Sequence, residues 1–127
     1  METAIYDILI NTVSVTDVVS TRIYPSRIPQ GETLPAVTFQ RIGNEPEDDK
    51  DGPSTLDVIT LDIDMFGKSL ADLKTLSGAI RGALDRFSGT RVGIIINSIQ
   101  FVTDRDIYEN SKSIYHINQE YSVRQIR

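Results

Sequence analysis

Apolar side chains along this chain recur with two periods, one near 3.6 and one of two, and the changes between them divide it into elements. Over residues 3–13, Ile5, Ile8, Leu9 and Thr12 share one helical face, with Asp7 and Asn11 opposite, which predicts a helix. Ser14 to Ser20 reads as a second short turn that Ser14 or Thr16 can cap. Arg22 to Tyr24 is extended. Ala36 to Ile42 reads as a strand, bounded by Pro35 and Gly43. Leu56 to Phe66 gives the cleanest alternation: Ile59, Leu61, Ile63 and Met65 point one way, and Thr60, Asp62 and Asp64 the other. Ser69 opens the strongest helix, with Asp72 in its first turn. Its apolar stripe, Leu70, Leu73, Leu76, Ile80, Leu84 and Phe87, runs to Gly89. Two strands close the chain, near Arg91–Thr103 and Ile114–Arg124, joined by DRDIYENSKS.

The order helix-strand-strand-helix-strand-strand predicts an α+β fold: a mainly antiparallel sheet with two principal helices packed on one face. With no repeat and no low-complexity linker, residues 1–127 read as a single domain. Between the first helix and the first long strand lies RIYPSRIPQGETLPAVTFQR. Its Pro25, Pro29, Gly31 and Pro35 fix a connector at spacings no helix tolerates. Asn44 to Thr55, NEPEDDKDGPST, has almost nothing to bury and reads as an exposed loop. One strand exceeds the simple pattern. Val92, Ile94 and Ile96 alternate on one face of Arg91–Thr103 while Ile95, Ile99 and Phe101 alternate on the other, so both faces need cover. The first helix can supply it, or a neighbouring subunit. The reading adopted is a subunit sharing the task, which makes Val92, Ile94 and Ile96 subunit-interface candidates.

Composition removes whole classes of chemistry. The chain has no cysteine, which excludes disulfides, thiolate nucleophiles and cysteine-ligated metals. Its net charge is −5, against the clustered Lys and Arg that hold phosphates. The start METAIYDILIN has acidic residues and helical periodicity where a signal peptide has a basic start and an apolar run, and no apolar stretch spans a membrane. No cofactor motif is present, since Gly78, Gly82 and Gly89 lie on or after a helix.

Four constellations remain. Glu47, Asp49, Asp51 and Gly52 match early positions of a calcium loop, but the twelfth is Val58 where a bidentate carboxylate is required. With Asp48 they fit an acidic hairpin tip better, and Glu47, Asp48, Asp49 and Asp51 are candidates for contact with a partner. His116, the only imidazole, points outward beside Asn118, Glu120 and Ser122 if Tyr115, Ile117, Tyr121 and Val123 point inward. Asp62 and Asp64 share a strand face as an acid–base pair would, but carboxylates on a wet strand face need no chemistry. Arg81, Arg86 and Arg91 are spread along the second helix and its exit, as a solvated face or a contact with an acidic partner. The chain thus reads as a non-enzyme without catalytic, cofactor or metal residues.

A set of short segments, in this order, resembles the tail completion (tail terminator, head–tail joining) proteins of long-tailed bacteriophages. They are Arg22-Ile23-Tyr24-Pro25, Pro29-Gln30-Gly31 with Leu34-Pro35, Phe39-Gln40-Arg41, Asp51-Gly52-Pro53 and Asp64-Met65-Phe66. Ala79-Ile80-Arg81-Gly82-Ala83-Leu84-Asp85, Asp104-Arg105-Asp106-Ile107-Tyr108-Glu109 and Gln119-Glu120-Tyr121-Ser122-Val123 follow. Met65 departs from the pattern, where a more polar or smaller residue is expected. The resemblance implies a virion structural protein, assembled in the host cytoplasm. It implies a homo-oligomeric ring, usually a hexamer, at the head-proximal end of the tail. Such a ring ends tube polymerisation and joins tail to capsid, with tail tube and head–tail connector proteins as partners. DNA passes through the bore without specific binding, and no membrane is involved. Six copies at −5 each carry −30, and an acidic bore repels phosphate. Thr60, Asp62 and Asp64 are the bore-lining candidates. The alternatives are another connector adaptor, a tail tube subunit, or a small metal-dependent hydrolase in which Asp62, Asp64 and the acidic loop converge.

Overall fold

The structure is a computed structural model that describes residues 1–49, 52–109 and 114–126. Among these residues three helices and six strands follow one another: α1 (Glu2–Ile10), α2 (Val13–Val19), β1 (Ile23–Pro25), β2 (Ala36–Asp49), β3 (Gly52–Gly67), α3 (Leu70–Leu84), β4 (Gly89–Arg91), β5 (Ile94–Glu109) and β6 (Ile114–Ile126). The strands form one sheet in the order β1-β2-β3-β6-β5-β4, antiparallel throughout except for β1 beside β2. This is the α+β, mainly antiparallel arrangement expected, with a third helix.

The helices close one face of the sheet. Ile59, Leu61, Ile63 and Met65 on β3 and Ile117, Tyr121 and Val123 on β6 are buried beneath Ile5, Ile8 and Leu9 of α1, Val15 and Val19 of α2, and Leu73, Leu76, Ile80 and Leu84 of α3. The helix predicted over 3–13 divides at Thr12. That residue takes an extended conformation and its hydroxyl turns back to the Ile8 carbonyl at 2.7 Å, so the chain restarts as α2. At Ser69 the expected cap forms, its hydroxyl accepting the Asp72 N–H at 3.4 Å. α3 ends at Leu84 rather than running to Gly89. There Asp85 turns its carboxylate to the Phe101 N–H at 3.0 Å, fastening the helix exit to β5.

The proline-rich connector is fixed by hydrogen bonds at both ends. Arg22 Nε donates to the Pro35 carbonyl at 2.8 Å, the Val37 N–H to Arg22 at 3.0 Å, and the Ser26 N–H to Phe39 at 3.0 Å.

Three expectations need correction. Asn44 to Thr55 is not a loop. Its described backbone forms the far ends of β2 and β3, paired as far as Asp49 with Gly52. A polar two-stranded ribbon satisfies its backbone without burying side chains, so composition alone misreads it. Likewise β5 runs on to Glu109, through residues read as a connection. The two-faced strand is the third. A bulge between Ile96 and Ser98 adds one residue, which reverses the alternation. Ile94 and Ile96 before it, and Ile99 and Phe101 after it, therefore all face the helices. Ile96 is buried within the subunit, and Ile94 packs against the same core, so the helices supply the cover that this face was expected to take from a neighbour. Val92 is not in a strand at all but in the turn from β4 to β5.

Candidate functional site

The sheet face opposite the helices holds the polar cluster. Alternation along β3 and β6 places Thr60, Asp62, Asp64 and Phe66 there, directly opposite Ser122, Glu120, Asn118 and His116. After a second bulge, between Phe101 and Thr103, β5 adds Thr103, Arg105 and Ile107 to the same face. Asp62, Asp64, Arg105, Ile107, His116 and Asn118 line a depression of about 190 Å³.

Asp64 is its most constrained group. Oδ1 meets His116 Nε2 at 2.6 Å and accepts from Asn118 Nδ2 at 2.9 Å, while the His116 ring stacks on Phe66 at 4.4 Å between centroids. Burial pushes the Asp64 carboxyl upward, but hydrogen bonds from His116 and Asn118 and the charges of His116 and Arg105 outweigh it and hold the group below its ordinary value. Asp64 is thus ionised and engaged, not a bare carboxylate. His116 faces outward as expected, with its ring clamped. Asp62 and Asp64 share the face, yet Asp64 is spent on β6 rather than on Asp62, and no acid–base pair forms between them. Among the described residues no group of three or more His, Asp or Glu is placed to hold a metal. Glu47, Asp48 and Asp49 lie in β2 by backbone, and Asp51 lies outside the described residues.

A second feature opens on the helix side. Thr3, Tyr6, Pro25, Phe39 and Val92, with Glu2 and Asp7 at the rim, line a mainly apolar groove of about 390 Å³. The turn carrying Val92 has both central residues at positive φ, Val92 at 52° and Gly93 at 74°. Glycine takes that conformation freely; valine is strained in it, and its side chain is exposed into the groove.

The pattern missed Gln119. It sits on the helix-covered face, fully buried, donating to the Ser77 carbonyl at 3.2 Å and hydroxyl at 3.0 Å, and accepting from the Tyr121 hydroxyl at 2.7 Å. Burial and the Asp85 charge push the Tyr121 phenol well above its ordinary value, so it stays a donor. The signal was its odd position between Ile117 and Tyr121, overridden by its polarity.

A sheet closed by helices on one side, with an engaged polar cluster on the other, defines an α+β protein with one covered and one open sheet face. The family described as tail completion protein gp17 matches residues 3–126, and the chain belongs to that family. Among solved structures it is similar to a chain of the virion of a native gene transfer agent particle, with a TM-score of 0.78 and 17% identity over 100% of this chain and 95% of that one. No curated protein sequence matches it.

Proposed function

We propose that six copies of this chain form a ring at the head-proximal end of a phage-type tail, ending tube polymerisation and joining tail to capsid while DNA passes through the bore. The protein would work in the virion after assembly in the host cytoplasm, with tail tube and head–tail connector proteins as its partners. The observation that carries this reading is the sheet face left without helices. It is polar, and Asp62 and Glu120 lie side by side on it. A face of this kind suits a water-filled channel, where solvent supports the charges and their field opposes phosphate binding. Thr60, Asp62 and Asp64 are assigned to the bore, with Asp64 contributing through its pair with His116. The acidic end of the β2–β3 ribbon, Glu47, Asp48, Asp49 and Asp51, is assigned to contact with a neighbouring protein. Of the interface candidates only Val92 keeps that role. Residues 1–127 would act as a single domain.

Negative-stain images of the purified protein, alone and mixed with tail tubes, test this directly. Rings capping one end of each tube are the expected result. Decoration along the tube, or insertion as tube layers, would assign a tube subunit instead, and absence from the tube an adaptor of another layer.

A further inference from the structure

The long strands leave two backbone edges unpaired, and their placement assigns the contact between copies. β1 covers the outer edge of β2 only from Val37 to Phe39. β4 covers β5 only from Ile94 to Ile96, and the turn after α3 and Asp85 then occupy Ile99 and Phe101. Among the described residues, Gln40–Glu45 and Thr103–Ile107 have no strand on their outer side. Exposed edges of this length are commonly blunted. Here charges and a bulge at each edge are present, yet Ile42 and Ile107, and Val102 just before the second edge, are each at least 41% exposed.

Resting on the ring reading above, the geometry points to β-strand pairing between copies, with Gln40–Glu45 of one subunit antiparallel to Thr103–Ile107 of the next. Three observations converge on this register. First, β2 and β5 run in opposite directions within the sheet, so edge meets edge antiparallel. Second, the outward amides match. Val37 and Phe39 direct their backbone groups outward to the connector, so Arg41, two residues on, does the same; a bulge between Arg41 and Gly43 then shifts the alternation of β2 by one residue, to Asn44. On β5, Ile99 and Phe101 face outward, and the bulge at Val102 passes that role to Asp104 and Asp106. Third, traced through the ladders, the free windows are offset by about four residues, roughly 14 Å along the strand, across four strands that span roughly 19 Å. Joining them tilts the strands by about 35° to the ring axis, a slope that closed sheets adopt. An odd offset would place open-face residues opposite helix-face ones, whereas this even one keeps the faces continuous.

In this register Arg41 comes opposite Asp106 on the helix side, where Asp106 already holds Lys74 of its own subunit at 2.5 Å, so Arg41 joins an existing ion pair. Gln40 and Ile107 are opposite on the open side. Just beyond, the neighbour reaches β1, and its exposed Tyr108 arrives at the level of Phe39, at the mouth of the apolar groove.

The chain has no cysteine, so a designed pair reads the contact cleanly. Gln40→Cys and Ile107→Cys lie on β2 and β5, three strand spacings apart within a subunit and too far to join, but within disulfide reach between copies in the proposed register. Oxidised rings should run on denaturing gels as a ladder of covalent oligomers up to the closed ring. The control pair Gln40→Cys and Asp106→Cys, on opposite faces, should give at least tenfold less product. Arg41→Glu should raise the concentration needed for assembly about tenfold while leaving the subunit's melting temperature unchanged. Rings visible in micrographs that stay monomeric on the gel would overturn edge pairing and leave the ring standing. No rings, alone or on tubes, would overturn both.

Discussion

The two faces of β3 and β6 are made by alternate residues of the same strands, yet they obey different rules. Toward the helices, Ile59 to Met65 and Ile117 to Val123 are sealed, and Gln119 within that stretch is tolerated because each of its contacts is met inside the protein. Toward the open side, Asp64 is ionised in a cluster that water still reaches, and Asp62 and Glu120 stand at adjacent positions with like charge. Burial therefore makes one face a matter of packing and the other a matter of charge. A substitution should report which face it touches by whether it changes stability or changes what the surface does.

The sharpest contrast lies between neighbours on β3. Ile63→Ala removes a fully buried side chain and should cost about 2–5 kcal/mol, whereas Asp62→Ala, one residue away, should stay within about 0.5 kcal/mol. Denaturant unfolding of both variants measures this, and equal costs would erase the distinction between the faces. Gln119→Leu comes next. It keeps most of the volume but strands the Tyr121 hydroxyl and the Ser77 groups, so a loss of about 1–3 kcal/mol is expected. Adding Tyr121→Phe should recover part of that loss, and a double variant no better than Gln119→Leu alone would mean that the hydrogen bond to Tyr121 contributes nothing.

The covered face was largely legible in sequence because a period of two, repeated over Ile59 to Met65, admits only one register for burial. The bulges were not legible. An extra residue at Asn97 or Val102 leaves no mark in composition, yet it turned Ile94 and Ile96 to the same side as Ile99 and Phe101. The β2–β3 ribbon was missed for a related reason. Sequence patterns report side-chain burial, and the far ends of that ribbon are held by backbone pairing. On the open face the residues were foreseen, but not their grouping. That Asp64 belongs with His116 and Asn118 depends on β3 lying beside β6, a pairing across more than fifty residues of sequence.

The open face makes a smaller contribution to stability, and one that depends on pH. The Asp64 carboxyl is held below its unfolded value, so its contribution is fully present above about pH 4 and is lost as pH falls through the depressed value. Asp64→Asn should cost about 1–2 kcal/mol at neutral pH and flatten the acid limb of a plot of stability against pH. An unchanged acid limb would show that the pair with His116 does not stabilise the fold. In the opposite direction, Val92→Asn suits the turn's positive φ and should stabilise the isolated subunit by about 1 kcal/mol. The same change removes an apolar side chain from the groove, so ring assembly should weaken even as the monomer melts higher. Gain on both counts would leave Val92 without a role between copies.

Least change in stability is expected from Asp62→Lys, and most change in behaviour. Asp62 lies on the open face opposite Glu120, and unlike Asp64 it is not the residue that His116 and Asn118 engage. Replacing it leaves the core untouched and sets a lysine against a carboxylate, so the subunit should fold and assemble as before. In the ring, every copy would then present a cation where it had presented an anion. If this face lines the bore, phosphates that the native ring repels should be held at low salt and released as salt rises, because binding through such contacts is driven by counterion release. Retention of short duplex DNA by native and variant rings across a salt series measures the difference. The replacement of Asp62 and Asp64 together is a poorer probe, since Asp64→Lys would remove the carboxylate that His116 and Asn118 engage and set a cation beside Arg105, disturbing the fold. An Asp62→Lys ring that assembles but holds no more DNA than the native one would place this face away from the DNA path, and the bore would then be lined by some other surface.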